Sequence, residues 1–171
     1  MRKIVQRIFQ KLDDWIEKQN ELRRKEGNLL LSRSEITLLG QMSLLTNERV
    51  SALLHLVQTV DMDAFLQMEH EIKTKMKEIL SEEGFIYDED SHLVWAPPDS
   101  RIDLLFEFKN VAVKTIDPES ALVSKAIKAP ERNRHLIQEA IASGAFPSLI
   151  ERIEKSGGNL ASFLEKDHET Q

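Results

Sequence analysis

The segment Thr59-Val60-Asp61-Met62-Asp63-Ala64-Phe65 restricts this chain more than any other. Its apolar residues suit a strand, yet two carboxylates stand one residue apart within it. Alternate side chains of a strand share a face, so Asp61 and Asp63 are expected to project together. Two carboxylates a few ångströms apart repel unless a divalent cation sits between them. The segment therefore calls for a strand and makes a Mg²⁺ site the first chemistry to consider.

Bulk properties narrow the setting. The 171 residues give room for one domain of ordinary size plus an appendage. The net charge is -6, so the chain lacks the basic footprint of a duplex-binding protein, and nucleic acid is not an expected partner. With no cysteine there is no disulfide, thiolate zinc site or cysteine nucleophile. No apolar run approaches the roughly 18 residues that span a bilayer, so no membrane is expected. The N-terminal apolar residues are spaced rather than continuous, which reads as an amphipathic helix and not a signal peptide. The expected location is the cytoplasm.

Along the chain, Val5, Ile8, Phe9, Leu12, Trp15 and Ile16 form a stripe at helical spacing, predicting a helix over 3–25 that stops near Gly27-Asn28. This helix is expected to pack on the domain body; dimerisation or partner binding through it is the alternative. A strand over 35–39 runs into Gly40, followed by a helix over 42–56, the strand at 59–65, and a helix carrying Met68, Ile72, Met76, Ile79 and Leu80 that closes at Gly84. Further strands are expected at 92–96, 101–108 and 111–114, the first two antiparallel around Pro97-Pro98-Asp99-Ser100. Helices then start at Asp117-Pro118, at Pro130 (ending at Gly144) and at Pro147 (ending near Gly157-Gly158), with Asn159 capping a short last one. The expected class is α+β: a small mixed sheet, an N-terminal helix over 1–28, a core over 29–116, and a C-terminal helical region over 117–171.

Asp103 stands in an otherwise apolar strand, where a carboxylate is costly unless paired or metal-bound. Three carboxylates around two Mg²⁺ ions can move a phosphoryl or nucleotidyl group, and one of them can accept the proton of the attacking hydroxyl. In its order of parts the chain resembles the nucleotidyltransferase superfamily, with the DNA polymerase beta-like fold. The matching parts are Ile36-Thr37-Leu38-Leu39-Gly40, Gln41-Met42-Ser43, Thr59-Val60-Asp61-Met62-Asp63 and Arg101-Ile102-Asp103-Leu104-Leu105. The segment from Ile116 to Lys128, followed by Glu131-Arg132-Asn133-Arg134-His135, looks like the helices after the sheet in small bacterial nucleotidyltransferase-like proteins.

The resemblance covers residues 34–144. It implies Mg²⁺-dependent (or Mn²⁺-dependent) transfer of a nucleoside monophosphate from an NTP to a hydroxyl of a protein or small molecule. Under it Asp61, Asp63 and Asp103 are the metal and catalytic residues, Gly40, Gln41 and Ser43 contact the triphosphate, and Lys125 approaches the phosphates. Gln41 stands where the family usually has a small residue, which leaves a second expectation: a non-catalytic form of the fold acting as a protein-binding module. His55, His70, His92, His135 and His168 show no metal-binding spacing, and there is no Gly-rich phosphate loop ending in Lys.

Overall fold

The computed structural model describes residues 1–164; the end of the expected C-terminal region, with His168, lies outside them. The described chain is α+β, in the order α1 (Arg2–Glu26), β1 (Ser34–Leu38), α2 (Gly40–Thr46), α3 (Glu48–Leu53), β2 (Asp61–Met62), β3 (Ala64–Gln67), α4 (His70–Glu82), β4 (Ile86–Tyr87), β5 (Ile102–Glu107), β6 (Val111–Ile116), α5 (Pro118–Lys128), α6 (Pro130–Ser143), α7 (Leu149–Lys155) and α8 (Ala161–Leu164). The main sheet has the order β3-β1-β6-β5. Its centre is the parallel pair β1·β6, and both flanking pairs are antiparallel. β2 and β4 form a separate two-stranded parallel sheet.

Apolar periodicity decides which faces are covered. Val5, Ile8, Phe9, Leu12 and Ile16 of α1 are fully buried, in one core with Ile36 and Leu38 of β1, Val111 and Val113 of β6, and Ile72 and Met76 of α4. The α1 stripe is thus covered within the chain and is not free for the partner contact considered above. Gly27 ends α1 at φ 72, and the N–H of Asn28 donates to the Arg23 carbonyl at 2.9 Å. A second core joins α2 and α3 to α5–α8 through Leu39, Leu44, Leu122, Ile137, Leu149 and Ile153. Between the cores Asp117 caps α5, accepting from the Ser120 N–H at 3.0 Å and the Arg101 N–H at 2.8 Å. Among the described residues no helix is long and apolar enough to cross a membrane.

Local chemistry departs from the periodic reading in three places. The expected helix over 42–56 is two helices, because Asn47 leaves the helical region (φ -86, ψ 107) and its side chain caps α3 by accepting from the Val50 N–H. The expected strand over 59–65 divides at Asp63, its first part pairing with β4 and its second with β1. The expected strand at 92–96 is absent. Glu89–Leu93 instead forms a 3-10 helix capped by Asp88, so there is no hairpin around Pro97-Pro98; β5 turns directly into its antiparallel neighbour β6.

Leu12→Ala is expected to cost about 2–5 kcal/mol in urea unfolding, since it empties a fully buried site. Leu29→Ala, at a side chain 89% exposed, should change stability by no more than about 0.5 kcal/mol.

Candidate functional site

The site is built where β1 ends and the chain meets itself at Asp63. Leu39 donates its N–H to the Asp63 carbonyl at 2.9 Å, which holds the 63 position beside the start of α2. Gly40 has φ +52, and a Cβ there would lie 2.7 Å from Asp63 Oδ2. The position therefore requires glycine for two reasons, its backbone conformation and the approach of the carboxylate.

Met62 is fully buried, while Asp61 and Asp63 line an open cavity of about 620 Å³. Both carboxylates open on this cavity although Asp63 lies just past the end of β2, where the expected strand divides. The parallel partner β4 delivers a third carboxylate. The Asp88 N–H donates to the Met62 carbonyl at 3.1 Å, which brings Asp88 level with Asp63. Burial, followed by a hydrogen bond to Asp88 and the charge of Asp88, pushes the Asp63 carboxyl up from 3.8 to about 6.

The helices add basic residues. Lys125 and Lys128 of α5 and Arg132 of α6 line the same cavity. Burial lowers the Lys125 amine from its ordinary value, with Asp63 opposing the shift and Arg132 adding to it. Lys128 lies over the Trp95 ring, 5.7 Å from its centroid. His55, Val57, Gln58 and Thr59 also line it, and their segment is tied down at two points: Gln41 Nε2 donates to the Val57 carbonyl at 2.7 Å, and Glu139 of α6 binds His55.

Of the residues singled out in the sequence, Gly40, Gln41, Asp61, Asp63 and Lys125 meet in this cavity. Ser43 does not: it is buried, and its hydroxyl donates to the Gly40 carbonyl at 2.8 Å. Nor does Asp103, which pairs across the sheet with Thr115 and lines a separate cavity of about 290 Å³ with Arg49, Arg101 and Glu119. The strand order is the reason, since β1 and β6 lie between β5 and β3. The expected convergence of Asp61, Asp63 and Asp103 does not occur; the third carboxylate lining the cavity is Asp88. Asp88 had a signal in the sequence: it ends a short apolar run, Phe85-Ile86-Tyr87, just after Gly84.

Among the described residues no group of three or more His, Cys, Asp or Glu side chains stands so that it could by itself hold a metal ion. Mg²⁺ commonly takes one or two protein carboxylates and completes its shell with water and substrate phosphate, so the Asp63–Asp88 pair is the part of the cavity whose chemistry suits it.

Because the folded state holds the Asp63 proton more tightly than the unfolded chain, this group adds stability at low pH that is lost as pH rises from 3.8 through about 6. In metal-free buffer Asp63→Asn should therefore raise stability relative to the wild type more at pH 7.5 than at pH 4.5, as read from urea midpoints. An equal effect at both pH values contradicts the carboxyl pairing. No protein-family model matches the chain, and no curated protein or solved structure matches it either, so the functional case rests on the geometry of this cavity.

Proposed function

We propose that the cavity binds a Mg²⁺–nucleoside triphosphate and transfers the nucleoside monophosphate to a hydroxyl of a protein or small molecule. The observation that carries this reading is the meeting of two sets of charge in one open cavity, Asp61, Asp63 and Asp88 at the β2 and β4 strands and Lys125, Lys128 and Arg132 on α5 and α6. A polyphosphate carrying a divalent cation needs both: carboxylates for the cation and cations for the phosphate oxygens. Asp63 and Asp88, with Asp61 beside them, would hold Mg²⁺, which when bound supplies charge neutralisation on the phosphates.

The remaining roles belong to the chain itself. Lys125, drawn into partly buried surroundings, presents a weakly hydrated charge whose interaction with phosphate is stronger than at an open surface. Arg132 offers planar donors for two phosphate oxygens at once. Gly40 leaves the backbone free of a side chain at the point where the triphosphate would approach Asp63. Asp103 has no part in this reading, being on the other cavity.

A non-catalytic, protein-binding form of the same fold is the second reading, and Gln41 is the residue that favours it. Its side chain lies at the cavity rim, tied to Val57, where a smaller residue would leave more room for phosphate.

The two readings separate in a thermal-shift titration with ATP or GTP. Nucleotide together with Mg²⁺ is expected to raise the midpoint, by an amount equivalent to about 2.7 kcal/mol at 100 times the dissociation constant. Lys125→Ala and Asp63→Ala should each remove most of the shift. No shift at millimolar nucleotide with Mg²⁺ overturns the transferase reading and leaves the binding module.

A further inference from the structure

His55 and Glu139 form a pair at the rim of the cavity that nucleotide binding leaves unused. His55 opens the extended segment between α3 and β2, and Glu139 sits in α6, so 84 positions separate them. One carboxylate grips His55 at two points: Oε2 accepts its backbone N–H at 2.9 Å, and Oε1 lies 2.5 Å from ring Nδ1. Burial works against the Glu139 charge, yet the hydrogen bonds from the His55 backbone and ring hold its carboxyl below the usual carboxylate range. An ionised carboxylate only accepts, so Nδ1 must carry the proton. In the neutral ring the lone pair is then on Nε2, on a side chain that is 97% exposed and lines the same cavity as Asp61, Asp63 and Lys125.

Resting on the nucleotidyl-transfer reading, we infer that His55 Nε2 is the base that takes the proton of the acceptor hydroxyl, and that Glu139 is its positioning residue. The carboxylates leave that role open, because Asp63 and Asp88 engage one another, Asp61 stands with them on the metal side of the proposed site, and Asp103 is on another cavity. In the step, the acceptor oxygen forms a bond to the α-phosphorus. The bond from that phosphorus to the bridging oxygen of the β-phosphate breaks, and pyrophosphate leaves with the electron pair. The hydroxyl proton passes to Nε2. The resulting imidazolium shares the cavity with Arg132 and His135 from α6, Lys125 and Lys128 from α5, and Asp61, Asp63 and Asp88 from the strands. The Glu139 carboxylate at Nδ1 offsets the cations of that set. The acceptor is thereby placed beside His55, Val57, Gln58 and Thr59, which line the same cavity.

The test uses the whole chain. Nitrogen-15 spectra of the imidazoles at neutral pH should show His55 with a protonated Nδ1 and a bare Nε2, and Glu139→Ala should abolish that preference. His55→Gln should lower pyrophosphate release from ATP and Mg²⁺, with water standing in for the acceptor, by about 100-fold or more. The ATP thermal shift should be unchanged in the same variant. A protonated Nε2 in the wild type, or undiminished release from His55→Gln, overturns the assignment while leaving nucleotide binding intact. Absence of a wild-type ATP shift overturns the transferase reading, and the assignment falls with it. The tautomer measurement needs no nucleotide, so the two failures are told apart.

Discussion

Asp63 is the residue at which the chain changes sheets, and the cavity is organised around that change. Its carbonyl takes the Leu39 N–H where the main sheet ends, while the strand just before it is already paired with β4. A single continuous strand would have carried Asp61 and Asp63 along one sheet. The division instead lets the short parallel partner set Asp88 against Asp63, and it brings the carboxyl against Gly40. Like charges at this separation are unfavourable, and the partly buried Asp63 resists ionisation for that reason among others. The fold tolerates the conflict because the flanking residues, Met62 and Ala64, are anchored in the apolar core.

The structure that holds this arrangement is apolar rather than ionic. One core fixes the sheet against α1 and α4, and the other fixes α5 and α6 against α2 and α3. Each wall of the cavity belongs to a different core, acidic residues to the sheet side and basic residues to the helical side. The ion pairs Arg7–Glu83, Lys73–Glu89 and Lys155–Glu151 lie largely at the surface, where water and salt screen such contacts and they contribute little. Arg152 differs, since it joins Asp99, Asp117 and Ser120 and so ties α7 to the cap of α5.

What was legible in the sequence was whatever depends on neighbours a few positions away. The α1 stripe, the α4 stripe, the Asp117-Pro118 start and the Gly144 stop are set by local spacing and capping, and they stand where the pattern put them. The shared side of Asp61 and Asp63 is local too. Asp103 was misplaced because its position in space depends on strand order, which periodicity does not encode. Asp88 was missed because β4 has only two residues, too few to show an alternation. His55 and Glu139 meet across 84 positions, and neither has a neighbour in sequence that announces the other.

The central claim is that the facing carboxylates and the lysine–arginine wall receive one metal–polyphosphate ligand between them. Crystals grown with Mn²⁺ and a non-hydrolysable nucleoside triphosphate test it most directly. The account predicts an anomalous Mn²⁺ peak within ligand distance of Asp63 and Asp88, with phosphate oxygens against Lys125 and Arg132. Nucleotide or Mn²⁺ located away from this cavity, with the Asp63–Asp88 contact unchanged, would contradict it.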